Sequence, residues 1–157
     1  MKNTITILIL MLASVSFAQS ANESEFKKLV ENSFQEIWSN MDESKISKYY
    51  TEDFLLLEDG EIWNNDSVKV AINDIKSRFQ SEENKMHKFE RINRFEFLKS
   101  HSDNNSGWIA YHNYADIKMN ETSIAKIHWI ETAMFIKDKN GWRIQALHST
   151  PFKEKEK

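Results

Sequence analysis

The sequence predicts an α+β fold: a cone-shaped, curved antiparallel sheet with three helices packed on one face. Three observations lead there. The first half of the chain carries apolar residues at helical spacing, at 22–41 and again after Asn65. From residue 87 onward the pattern switches to strand-like alternation over four long segments joined by turns. All three glycines, Gly60, Gly107 and Gly141, fall between those segments, where turns are needed.

In the first predicted helix, Phe26, Leu29, Val30, Ser33, Ile37 and Met41 recur at steps of three and four, and Phe34 and Trp38 widen the stripe. Asn22 is the candidate cap. Asp42 opens a shorter helical turn with Ile46, Tyr49 and Tyr50 on one side. Residues 53–58 form a strand-length apolar run, Asp59-Gly60 is a hairpin turn, and Glu61-Ile62-Trp63 is the return strand. Asn65 or Asp66 caps a third helix striped by Val68, Ile72, Ile75 and Phe79. Four strands follow, around Phe89–Leu98, Trp108–Met119, Ser123–Lys137 and Trp142–Thr150. Short connections between consecutive strands make an antiparallel meander, and the helices must bury their stripes on one face of it.

A chain of 157 residues is the usual size of one domain. Residues 1–18 read as a secretory signal peptide. Lys2 precedes an apolar run from Ile5 to Val15, and Ser16-Phe17-Ala18 places small residues where a signal peptidase reads. Residues 19–157 are then a single exported domain, periplasmic or extracellular, with a charge of 20 − 24 = −4 once Lys2 is removed. No second run is long enough to span a bilayer, so no membrane contact is expected after cleavage.

Composition excludes several classes. Without cysteine there are no disulfides, thiolate zinc sites or cysteine nucleophiles. Three scattered glycines cannot build a Walker loop or a dinucleotide fingerprint. The acidic balance gives no attraction to nucleic acid. No His pair has metal-ligand spacing on one helix, so neither metal nor cofactor is expected.

Three stretches carry a family resemblance: "WSNMDESKISKYY" (38–50), "YYTEDFLLLEDGEIW" (49–63) and "TAMFIKDKNGWRIQALHST" (132–150). They resemble the nuclear transport factor-2-like superfamily, in particular its SnoaL-like and ketosteroid-isomerase-like groups. The resemblance implies a conical sheet with a pocket inside. The superfamily hosts enzymes, transport factors and assembly domains, so the resemblance bears on fold more than on chemistry.

Candidate site residues follow from the strand pattern. In the last strand Trp142, Ile144, Ala146, His148 and Thr150 share one face, which directs His148 into the cone as a general base or ligand donor. Asp59 is similar in position to the general base of ketosteroid isomerases, and it is also a good turn residue before glycine. Tyr50, Trp63, His112 and Tyr114, with His148, form the expected ligand-binding set.

The hairpin register has two solutions. A four-residue loop at 138–141 pairs Lys137 with Trp142 and sets Glu131 opposite His148. A three-residue turn with a glycine bulge pairs Asp138 with Trp142 and sets Thr132 opposite His148. Under the second register Ile127, Trp129, Ala133 and Phe135 face outward and form a homodimer surface centred on Trp129. The function expected is an exported small-molecule-binding or dimerisation domain. The alternative is a small isomerase, cyclase or hydrolase with His148 or Asp59 as base.

Overall fold

The structure is a computed structural model that describes residues 22–79 and 88–153. The predicted signal peptide and most of the charged tail lie outside the described residues.

Helix α1 covers residues 22–39 and ends in a π-helical segment, Phe34–Ser39. There the Asn40 N–H donates to the Gln35 carbonyl at 2.9 Å, five residues back. The wider turn brings Trp38 as well as Phe34 toward the sheet. The predicted stripe is buried: Phe26, Val30, Phe34, Ile37 and Met41 all lie in the core. Met41, at φ 52°, ends the helical path. Asp42 then caps a 3-10 turn, Glu43–Lys45, by accepting from the Ser44 N–H at 3.0 Å. Helix α2 is the short Ile46–Tyr49.

Strand β1, Tyr50–Glu58, turns through Asp59 (φ 51°) and Gly60 (φ 84°) into β2, Glu61–Trp63. Two consecutive positive φ values match the right-handed twist of a two-residue hairpin, which an Asp-Gly pair tolerates. Helix α3 spans Asn65–Phe79. Its cap is Asn64, one residue earlier than expected, which accepts from the Asp66 and Ser67 N–H groups at 3.0 and 2.9 Å. Asn65 is used otherwise: its amide donates to the Thr51 carbonyl at 2.8 Å and ties α3 to β1.

The remaining strands are β3 (Phe89–Ser102), β4 (Ser106–Met119), β5 (Thr122–Asp138) and β6 (Gly141–Pro151). The six strands form one sheet in the order β2-β1-β6-β5-β4-β3. The predicted meander is present, and β1 joins it by pairing parallel to β6. The sheet curves around the helices, whose stripes fill its concave face. Phe26 of α1 is the anchor: its ring stacks on Phe135 at 4.1 Å and meets Trp142 edge-on at 5.0 Å.

The β5–β6 hairpin combines both predicted registers. At the turn Asp138 pairs with Gly141 and Lys137 with Trp142, and Gly141 takes φ 99°. Further on, Met134 pairs with Ala146, so Gln145 is an extra residue in β6, a bulge. Beyond it Thr132 faces His148 and Glu131 faces Ser149. Each residue of shift turns a strand over. Trp142 and Ile144 point inward before the bulge, and Leu147 and Ser149 after it. Ala146, His148 and Thr150 therefore face outward, which corrects the expectation that His148 points into the cone.

The outward assignment of Trp129, Ala133 and Phe135 is corrected as well, while Ile127 is exposed. Ala133 and Phe135 are fully buried in the core, and Trp129 lies on the inner face with them. The outer face of β5 is instead built by His128, Ile130, Thr132 and Met134.

Gly107 marks where α1 presses hardest on the sheet. A Cβ there would lie 2.5 Å from the Phe26 ring and 2.9 Å from the His101 carbonyl oxygen. Phe26 is fully buried, with its ring against both Phe135 and Trp142, so a shift away from residue 107 disturbs those contacts. Gly107→Ala is expected to cost about 1–3 kcal/mol, as overpacking does. Urea denaturation checks it, and Phe26→Leu in the same chain should recover part of the loss.

Candidate functional site

Polar residues interrupt the apolar inner face at one level of the cone. On β3 they are Arg91 and Asn93, among Phe89, Phe95 and Phe97. On β4, Asn113 lies between Tyr111 and Ala115, and on β5, Glu131 lies between Trp129 and Ala133. On β6 it is Ser149, and on β1 it is Glu58. Strand pairing aligns them: Asn93 stands beside Ala115, Asn113 faces Trp129, Tyr111 faces Glu131, and Glu131 faces Ser149.

These side chains form one hydrogen-bonded chain. Arg91 Nε donates to Asn93 Oδ1 at 3.1 Å, and Asn93 Nδ2 donates to Asn113 Oδ1 at 2.7 Å. Asn113 Nδ2 donates to Glu131 Oε2 at 3.2 Å, and Ser149 Oγ donates to Glu131 Oε1 at 3.1 Å. Ser149 Oγ also lies 3.5 Å from Glu58 Oε1, the outer limit of a hydrogen bond. The Tyr111 hydroxyl faces Glu131 as well, without the alignment of a full bond. Tyr50 lies under α1, where its hydroxyl accepts from Trp38 Nε1 at 3.2 Å.

Glu131 is the centre of this network. It is 3% exposed, and burial pushes its carboxyl up to about 7, against the opposing pull of Tyr111, Ser149, Asn113 and Arg91. Burial also raises Glu58, assisted by the neighbouring Asp59 and opposed by Arg91. Tyr50 is pushed up to about 12 by burial and by the Glu131 charge. The Arg91 guanidinium lies against three rings, 5.7 Å from Phe34, 5.8 Å from Trp38 and 5.6 Å from Trp129.

These residues enclose a cavity of about 60 Å³, walled by Phe34, Trp38, Leu56, Trp129 and Leu147, with Glu58, Arg91, Glu131 and Ser149 as its polar groups. By this measure one water needs roughly 10–15 Å³, so the cavity holds a few heavy atoms. A carboxyl that titrates near neutrality, in a small apolar-walled space, can give or take a proton from whatever enters.

The residues singled out in the sequence divide among three places. Tyr50 is buried and joins the inner network through Trp38. His112, Tyr114 and His148 lie on the outer face of the sheet, so they do not line the cone. His112 Nδ1 and His128 Nε2 are 2.8 Å apart there, and Tyr114 stacks on His128 at 4.1 Å. Trp63 is on β2, where its Nε1 donates to Glu61 at 3.0 Å, beside an open groove against α3. Asp59 and His148 meet after all, on the rim of a shallow outer depression that Glu58 and Ser149 also reach. Among the described residues no three His, Asp or Glu side chains converge as a metal site.

Arg91, Asn93, Asn113 and Glu58 were not among the candidates, and Glu131 entered only as a neighbour of His148. Their signal was present nonetheless: each breaks an apolar alternation on a strand face that otherwise fills a core. Such a residue is costly unless it is paired or used.

Glu131 makes stability depend on pH. Between about 4.5 and 7 the folded chain holds a proton here that the unfolded chain releases. This contribution is full below the lower value and is lost as pH rises through the upper one. The span corresponds to roughly 3 kcal/mol. Glu131→Gln carries no such charge, so relative to the parent chain it should gain roughly that much between pH 4.5 and 8. Paired urea denaturation curves at the two pH values measure it.

No protein-family model matches the sequence, and no curated protein matches it. Solved structures do match. A nuclear transport factor-2-like protein from Cytophaga hutchinsonii superposes with a TM-score of 0.61 at 10% identity, over 85% of this chain and 98% of that one. A hexachlorocyclohexane dehydrochlorinase, LinA type 2, gives 0.62 at 11% identity, over 85% and 90%. A calcium/calmodulin-dependent protein kinase II association domain from Xanthomonas campestris gives 0.55 at 17%, over 83% and 87%. Identities this low speak to architecture alone. The conical sheet, the three helices on its concave face and these superpositions together identify the nuclear transport factor-2-like fold.

Proposed function

We propose that this chain is a small-molecule-binding domain whose ligand occupies the cone cavity above Glu131. The observation that carries this reading is the cavity itself. Two carboxyls, a hydroxyl and a guanidinium converge in it between aromatic walls. A few convergent polar groups in an apolar concavity are the usual make-up of a ligand site. Packing alone does not ask for them, since an apolar residue at 131 would fill the same space without the cost of burying a carboxyl.

A second reading is a proton-transfer enzyme, with Glu131 rather than His148 or Asp59 as the base. It is favoured by the Glu131 carboxyl at about 7, close to the value a general base needs at neutral pH. The dehydrochlorinase of the same fold is a reminder that the architecture accommodates enzymes.

We further propose export, supported by the Lys2, Ile5–Val15 and Ser16-Phe17-Ala18 pattern, and a homodimer through the outer sheet face. Ile92, Ile130, Met134 and Phe152 are 49%, 41%, 53% and 43% exposed on or beside that face. Apolar residues of this size gathered on one surface favour a partner over water.

The cavity reading predicts that small fragments shift the indole N–H signals of Trp38 and Trp129 in two-dimensional NMR, while outer-face signals stay in place. A fragment library that perturbs neither indole would overturn it. The dimer reading predicts twice the chain mass in light scattering at micromolar concentration, and the single-chain mass for Met134→Glu. A parent chain that scatters as a monomer rules the dimer out.

A further inference from the structure

We propose that the ligand of this cavity is a short-chain carboxylate, held by the two terminal amino groups of Arg91. The inference deepens the reading of the cone as a ligand site and rests on it.

Arg91 is half-buried on the wall of the cavity. Its Nε is committed to Asn93 Oδ1 at 3.1 Å. Among the described residues its two terminal amino groups make no hydrogen bond, and no described carboxylate lies within ion-pair distance of them. Glu131 and Glu58 offset the desolvation of the cation only through space. The guanidinium is nonetheless held in place, with Phe34, Trp38 and Trp129 around it at 5.6–5.8 Å. A fixed planar fork with open donors is the geometry that a carboxylate meets with two parallel hydrogen bonds.

The rest of the cavity narrows the class. About 60 Å³ leaves room for roughly four to six heavy atoms, the size of a two- to four-carbon acid. Leu56 and Leu147 offer an apolar wall for an alkyl tail. A single negative charge suits the site better than a doubly charged phosphate, because Glu58 and Glu131 already stand nearby. Among the described residues, the groups that act on Glu131 or on its partners are Tyr50 and Glu58 from β1, Arg91 from β3, Tyr111 and Asn113 from β4, and Ser149 from β6. The only cation among them is Arg91. An incoming anion therefore drives Glu131 toward its neutral form, and binding takes up a proton.

The test is an NMR titration of the full chain with sodium propionate, propionamide and propylammonium, read at the Trp38 and Trp129 indoles. Propionate should give saturable shifts, and the two isosteres should not. Its affinity should be roughly tenfold weaker at pH 8 than at pH 6, the signature of proton uptake. Arg91→Met should weaken propionate at least about tenfold, and Arg91→Lys several-fold, because the lysine keeps the charge and loses the fork. Should Arg91→Met not fold, Arg91→Lys carries the comparison. Propionamide binding as well as propionate, or propionate binding unchanged in the folded Arg91 variant, would overturn the carboxylate and leave the cavity reading standing. If propionate fails while other fragments shift the indoles, only the carboxylate falls; if none does, both readings fall.

Discussion

The side chains that fill the cone depend on one extra residue in the last strand. Up to Ile144, β6 turns its even-numbered residues inward. Gln145 is accommodated as a bulge, and from Leu147 onward the odd-numbered residues point in. Without it, His148 would stand in the cavity and Ser149 would meet solvent. With it, Ser149 donates to Glu131, while His148 joins Asp59 on an outer rim. A bulge also bends the strand that carries it, which suits the curved sheet these helices pack against.

The buried carboxyl that this arrangement creates is expensive, and its surroundings are organised to offset the cost. Asn113 and Ser149 each give Glu131 a hydrogen bond, and Asn93 orients Asn113 through its own amide. Arg91 supplies a counter-charge from across the cavity. Even so, the carboxyl remains near neutrality rather than fully ionised. Groups in this state cluster where proteins bind or transform something, because packing alone would replace them with apolar residues.

Two faces of the same sheet thus divide the work. The inner face is closed by α1, whose π-helical end brings Phe34 and Trp38 over Arg91. The outer face gathers His112, Tyr114, His128 and Phe152 into a ring cluster, with Arg94 4.0 Å above Tyr114. Because β4 and β5 contribute alternate residues to each side, His112 and Asn113, adjacent in sequence, belong to different surfaces.

The sequence by itself determined the element order, the helix stripes, the turns and the meander, because these follow from local periodicity and turn chemistry. Phe26, Val30 and Ile37 had to be buried together at their spacing, and Asp59-Gly60 had to turn. What only the tertiary structure decided was facing. Strand alternation says which residues share a side, not which side is inside, and one bulge reverses the answer partway along a strand. Hence Tyr50 is buried beneath α1, whereas His148, His112 and Tyr114 lie on the outer face. Glu131, Asn113 and Arg91 come from three different strands, separated by 18 and 22 positions in the chain. No local pattern announces that they meet; their convergence is a property of the sheet's register.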